Sequence, residues 1–246
     1  MTFQDRNPVK RYLQRSRLKD AVRLCRLQPG VKIIVDYGAG NGELCKHLSD
    51  VFPEAKIYCF EPHPELLEQA RENLKNVANV IFIDRPLELA DASVDIVFCL
   101  EVFEHLPEKE LRQALGHLDR ILAVDGVAVI GVPVETGLPA LYKGVFRMLR
   151  RFGEFDAQFK HIVPAIFSRP PSRRPEVEIM PGVKYYLHHL GFDHRKFRDR
   201  VSSNFEELKV SARPFPRFGF LINSEANILV RKNPVVDEDE KPTSLP

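Results

Sequence analysis

The sequence predicts an α/β chain built on a mostly parallel sheet, and three observations carry that reading. Short β-branched apolar runs alternate with helix-length segments, several of the runs end in a carboxylate, and the first opens directly into closely spaced glycines. A chain of 246 residues is long enough for one large domain of this kind or two small ones. With 44% hydrophobic and 28% charged residues it has the balance of a soluble globular protein, which excludes a wholly disordered or fibrous chain. The formal charge of +2 is too small for the whole surface to bind polyanions, so any basic site is local. No apolar run approaches the roughly 18–20 residues of a membrane helix, and the N-terminal stretch lacks the apolar segment of a signal peptide. Cys25, Cys45, Cys59 and Cys99 are scattered, which fits neither a zinc site nor a disulfide framework. Reduced thiols in a cytoplasmic protein are the expectation.

The elements follow in order. Residues 1–30 read as a basic helical lead-in, with Leu18, Val22 and Leu24 among many Arg and Lys, ended by Pro29-Gly30. Val31–Asp36 is the first strand, and a helix through Leu44 and Leu48 follows it. Ile57–Phe60 is the second strand, closed by Glu61, and Glu65–Leu74 has helical composition. Val80–Ile83, closed by Asp84, is the third strand and Asp95–Leu100 the fourth. Leu111–Leu122 is strongly helical, and Val127–Val132 is the fifth strand, closed by Pro133. This alternation is the signature of βαβ units with right-handed crossovers. Residues 136–190 form a basic insertion with many Pro, Phe and Arg and no clear strand. Within residues 191–233, two β-like runs, Glu207–Ala212 and Phe218–Val230, complete the sheet. Residues 234–246, with Asp237-Glu238-Asp239-Glu240, read as a solvated acidic tail.

The chemistry concentrates at Asp36-Tyr37-Gly38-Ala39-Gly40-Asn41-Gly42-Glu43, between the first strand and the following helix. In an open α/β sheet, ligands bind there, at the carboxyl ends of the strands. Glu61 closes the second strand about 20 residues on, where a carboxylate can accept hydrogen bonds from both ribose hydroxyls. Asp84 closes the third, within reach of an adenine amine, although Asp84-Arg85-Pro86 equally suits a turn with a surface ion pair. A dinucleotide fingerprint would space its glycines G-x-G-x-x-G and leave the helix N-terminus free for a pyrophosphate. Here the third glycine falls early and Glu43 would repel that group. Asp36 suits a ligand with a positive amino group instead. The ligand inferred is an adenosine with a zwitterionic amino-acid arm and no phosphates, which describes S-adenosylmethionine.

These residues, with the run Asp95–Leu106 and the turn Leu118–Val127, resemble the class I S-adenosylmethionine-dependent methyltransferases of the type 11/12 kind over roughly residues 30–135. The resemblance implies a Rossmann-like seven-stranded sheet, mostly parallel with an antiparallel last strand, in the order 3-2-1-4-5-7-6. It implies that residues 31–135 bind S-adenosylmethionine as methyl donor. Gly38, Ala39 and Gly40 would flank the methionine arm, and Glu61 and Pro62 the ribose. Asp84 and Arg85 would frame the adenine, with Leu100 beneath the cofactor. Ala123-Val124-Asp125-Gly126 replaces the usual Pro-Gly-Gly turn, a structural difference.

For the transfer itself, the candidates follow the fourth strand. His105 has an intrinsic pKa suited to a general base, and Glu101 stands beside it. Glu101, Glu104 and His105 also reproduce an E-x-x-E-H spacing that resembles the metal-binding element of small-RNA 3′-end and ubiquinone-pathway O-methyltransferases. His188 and His189 are expected to be structural, while His161 could reach a substrate. In the insertion, Leu141–Phe152 alternates apolar and basic residues at helical spacing. The ordinary reading is a lid whose apolar side covers the site while its Arg side faces water. The alternative is peripheral contact with an anionic membrane. No aromatic-rich signature accompanies the basic patch, and no Asn-Pro-Pro-Tyr-type motif follows the fourth strand, which argues against nucleic acid. The expected substrate is a small or lipid-like molecule methylated on oxygen. The rivals are an NAD(P)-dependent oxidoreductase and a non-catalytic cofactor-binding scaffold.

Overall fold

The computed structural model describes residues 8–25 and 28–233; the acidic tail and part of the lead-in expected from sequence lie outside the described residues. Helix α1 (Pro8–Cys25) precedes strand β1 (Ile33–Tyr37), helix α2 (Glu43–Val51), strand β2 (Lys56–Phe60) and helix α3 (Pro64–Asn73). Strands β3 (Val80–Ile83) and β4 (Val94–Leu100), helix α4 (Glu108–Ile121) and strand β5 (Leu122–Pro133) complete the parallel half. Helices α5 (Leu138–Arg151) and α6 (Phe159–Ile166) follow, then strands β6 (Glu176–Met180) and β7 (Val183–Tyr186), helix α7 (His194–Ser202) and strands β8 (Phe205–Arg213) and β9 (Glu225–Lys232).

The main sheet has the order β3-β2-β1-β4-β5-β9-β8, the order expected from sequence, and β9 runs antiparallel to both its neighbours. Strand alternation explains the layers. Ile34, Ile96, Phe98, Val127 and Val129 point to one face, where α1, α2 and α3 cover them with Val22, Leu48 and Ala70. Val35, Val97, Cys99, Ala128 and Ile130 point to the other, where α4 supplies Leu115 and Leu118 and α7 supplies Phe197 and Val201. Both faces are covered, so the central strands read as continuous apolar runs. All four cysteines are free and buried in these layers.

Three local expectations are corrected. The Ala123–Gly126 segment is carried within β5, where the register against β4 shifts between Val94 and Ile96. The insertion contains a strand pair, β6 and β7, as a separate two-stranded sheet. The run expected from Phe218 becomes strand only at Glu225. Before it a 3-10 turn spans Pro216–Phe218, and buried Asn223 bonds the backbone of Phe215 and Gly219. A side-chain amide that pairs with nearby main chain competes with the ladder there.

Candidate functional site

The carboxyl ends of β1, β2, β3, β4 and β5 share one edge of the sheet, and the loop leaving β1 forms the floor of the site. Gly38 (φ +83°) and Gly42 (φ +81°) take left-handed backbone that favours glycine. A Cβ at Gly38 would lie 2.4 Å from a Val102 methyl, and one at Gly42 would lie 2.5 Å from Leu74. The Gly38 and Ala39 amides both donate to the Phe60 carbonyl at 2.9 Å, which ties the loop to β2.

Glu61 completes that tie. One oxygen accepts from the Gly40 amide at 2.8 Å and the other from the His63 amide at 2.9 Å, in a side chain that is buried overall. Burial pushes its pKa up while the two amides pull it down. A carboxylate offers about four lone-pair directions, so two remain for a diol-bearing ligand. Asp36 is buried beneath the loop, where the Cys45 thiol donates to it at 3.3 Å. Burial raises its pKa to about 7 against the lowering by that thiol, and the Glu61 charge adds to the rise. Pro62 is exposed beside Glu61, and Leu100 is partly buried at the end of β4. Asp84 ends β3 next to Glu61, whose amide bonds the Ile83 carbonyl at 3.2 Å. Its own partner is Arg85 at 3.3 Å in an exposed pair, the turn alternative weighed from sequence.

Beyond β4 the chain enters a second cluster. Glu101 has φ +58°, a left-handed conformation rare for a residue with a side chain and found where surrounding structure enforces it. The next turn, Phe103–His105, buries Glu104 completely, and neither carboxylate oxygen has a hydrogen-bond partner. One of those oxygens lies 3.8 Å from His105 Nε2 and 3.9 Å from His189 Nε2, and the two imidazole nitrogens are 3.1 Å apart. Burial, with the Glu101 charge beside it, drives the Glu104 pKa well up. His105 Nδ1 sits 2.7 Å from the Tyr186 carbonyl, to which it donates, so the tautomer assigned leaves Nε2 unprotonated and facing the cluster. Burial lowers the pKa of His105 and takes that of His189 down to about 4. Both rings are therefore neutral near pH 7. One carboxylate and two imidazoles gathered this closely can accept a proton or hold a divalent cation.

The insertion builds the walls. Tyr185 of β7 stacks on His105, with centroids 4.4 Å apart. Arg174 donates to the Glu104 carbonyl at 2.6 Å and lies 3.8 Å over the Tyr186 ring. Sequence reasoning missed Arg174, Tyr185 and Tyr186, and it assigned His189 to structure. No local signal marks them, because His189 is 84 positions from the imidazole it meets. His188 instead lies 3.3 Å from buried Asp156, and His161 lies 2.6 Å from the Phe155 carbonyl within the insertion.

Helix α5 is turned the opposite way from the expected lid. Lys143 and Arg147 point inward onto fully buried Glu135, which follows β5, at 2.9 Å and 2.8 Å. Arg147 also reaches Asp156 at 3.2 Å, where Arg151 joins at 2.7 Å. Burial alone would push Glu135 up, but the two cations bring it down to about 2.

Residues 35–130 match the family model described as a methyltransferase domain. The malonyl-[acyl-carrier protein] O-methyltransferase of Geobacter sulfurreducens is 31% identical over 126 residues, covering 49% of this chain and 46% of that protein. The trans-aconitate 2-methyltransferase of Afipia carboxidovorans is 27% identical over 139 residues, covering 56% of this chain and 52% of its own length. The chain thus spans about half the length of these relatives. The N-methyltransferase NodS of Bradyrhizobium japonicum, solved with S-adenosyl-L-homocysteine, superposes with TM-score 0.56 at 12% identity over 94% of this chain and 91% of its own. A methyltransferase of Aquifex aeolicus gives 0.57 at 16% identity over 92% and 97%. Residues 35–130 are thus similar to a methyltransferase domain, and the sheet that contains them has the Rossmann-like fold of these solved methyltransferases.

Proposed function

We propose that this protein is an S-adenosylmethionine-dependent methyltransferase that methylates an oxygen of a small or lipid-like, glycan-linked acceptor covered by residues 136–190. The observation that carries the cofactor is the glycine loop pinned to a buried carboxylate, with Gly40 bonded to Glu61 at 2.8 Å. Glu43 in the first turn of α2 disfavours the pyrophosphate that a dinucleotide oxidoreductase would place there. When bound, S-adenosylmethionine supplies an activated sulfonium methyl that passes to a nucleophile and leaves the thioether. The chain's own part is to hold the donor through Gly38, Gly40 and Glu61, to align the acceptor, and to take its proton.

Oxygen is favoured because a hydroxyl must lose a proton, and His105 Nε2 is neutral, fixed in tautomer and walled by Tyr185. His105→Gln is expected to lower turnover by about 10²–10⁴-fold while donor affinity, read by calorimetry, stays unchanged. Equal turnover in the variant would remove His105 from the chemistry. Loss of donor binding as well would make it structural. A non-catalytic scaffold would bind the donor and methylate nothing in an acceptor screen of hydroxylated lipids and sugars.

Asp36 adds a pH dependence. Its ionised form suits the amino group of the methionine arm, so donor affinity is expected to rise as pH increases through about 7. Asp36→Asn should flatten that rise in a calorimetric series; an unchanged slope would clear Asp36 of the role.

Glu104 favours a second reading of the cluster. A fully buried carboxylate with no hydrogen-bond partner among the described residues, facing two Nε2 atoms, fits a divalent cation. Such a cation would favour ionisation of a bound hydroxyl. After chelation, Mn²⁺ is expected to raise the melting temperature of the protein and not that of Glu104→Gln. If neither stability nor activity responds to Mn²⁺ or Mg²⁺, the cluster works as protein groups alone.

A further inference from the structure

Inversion of α5 leaves its apolar stripe facing outward. Leu141, Val145, Leu149 and Phe152 recur at helical spacing on one side, and Leu149 and Phe152 are 81% and 74% exposed. Phe146 stands beside them, with the Arg150 guanidinium 5.2 Å from its ring centroid. Helix α6 packs next to α5 through a small core of Ala140, Ile162 and Ala165, and exposes Phe159 and Val163. On the other flank, the Tyr142 hydroxyl donates to the Ile222 carbonyl at 3.2 Å, which brings up a loop with exposed Phe215, Phe218 and Leu221. Three neighbouring segments therefore present large apolar side chains that nothing in the described chain covers. A soluble surface rarely gathers so many.

Charge decides what covers them. Arg150, Lys160, Arg169 and Arg217 are exposed around these side chains. Between residues 138 and 175 the only exposed carboxylate is Glu154. The basic residues that could have been neutralised internally, Lys143 and Arg147, already are, so the remaining positive charge faces out with the apolar stripe. A second copy of the same face would bring these cations against one another, whereas an anionic lipid headgroup layer complements them and accepts the leucines and phenylalanines below it.

We propose that α5, α6 and the 215–221 loop form a docking surface for an anionic membrane. The helix lies in the headgroup plane with its apolar stripe down and its inward cations locked to Glu135. Docking of this kind is independent of the methyl-transfer reading and is tested without turnover.

The test is flotation of the full chain with vesicles of phosphatidylcholine alone and of phosphatidylcholine mixed with phosphatidylglycerol. The protein is expected to float with the mixed vesicles and not with phosphatidylcholine alone. Added salt should weaken that binding. The double variant Leu149→Glu/Phe152→Glu, at two exposed positions, should lose it with an unchanged melting temperature. Arg150→Glu/Lys160→Glu should reduce it by more than about tenfold, since each cation near an anionic surface contributes roughly fivefold. Absence of flotation with phosphatidylglycerol at low salt would overturn the proposal. So would a wild-type dimer that the Leu149→Glu/Phe152→Glu variant converts to monomer without any vesicle binding.

Discussion

Glu61→Ala is expected to weaken S-adenosylmethionine binding by about 100-fold or more, measured by isothermal titration. Hydrogen bonds to a charged group are worth about 1.5–3 kcal/mol each, and the proposed contact to the ribose diol would lose both of its acceptors together. The loop suffers too, because Gly40 and His63 lose the oxygens to which they donate. Glu61→Gln separates this account from a simple charge effect. Both oxygens already accept a backbone N–H, so an amide must turn its NH2 group toward one donor and break that anchor. Gln is therefore expected to bind nearly as poorly as Ala. Affinity within a few-fold of wild type in both variants would refute the assignment of Glu61 to the donor site.

Glu135→Ala is expected to cost about 3–5 kcal/mol of stability, because it strands Lys143 in a largely buried setting without its carboxylate and leaves Arg147 with Asp156 alone. For a chain of this size that corresponds to a melting temperature lower by roughly 6–20 °C in calorimetry. The pH profile carries the same signature. Glu135 has a depressed pKa, about 2 against an ordinary 4.5. Its contribution is present above 4.5 and is lost as pH falls through about 2. The variant should lack that part of the acid sensitivity. A loss below about 1 kcal/mol would mean the two cations find water or Asp156 instead.

The parallel half of the fold was legible because each of its strands is an apolar run with an abrupt polar end. Val80–Ile83 followed by Asp84 illustrates this, and the structure keeps its bounds unchanged. The placement of Gly38, Glu61 and Asp84 at the carboxyl edge was legible for the same reason, since that edge gathers whatever follows each strand, while Asp84 pairs there with Arg85 as the turn alternative has it. The insertion obeys no such rule. Strands β6 and β7 are short, partly exposed and embedded in a Pro- and Arg-rich stretch, which masked the alternation Glu176-Val177-Glu178-Ile179 and the turn dipeptide Pro181-Gly182 that mark the hairpin. The orientation of α5 depended on Glu135, a single buried carboxylate outside the helix. A helical period shows that two faces differ but not which face meets the protein. His189 stayed hidden because its partners, Glu104 and His105, lie far away along the chain.

The hairpin of β6 and β7 has a consequence for modularity. The carbonyl of Tyr186 sets which His105 nitrogen carries the proton, and Arg174 grips the backbone of Glu104. The turn after β4 and the insertion are thus not separable parts: exchanging residues 136–190 for another segment would remove the carbonyl that holds His105 in one tautomer and the guanidinium that holds the Glu104 backbone. Small changes within the hairpin keep both contacts, whereas wholesale replacement of it loses them together.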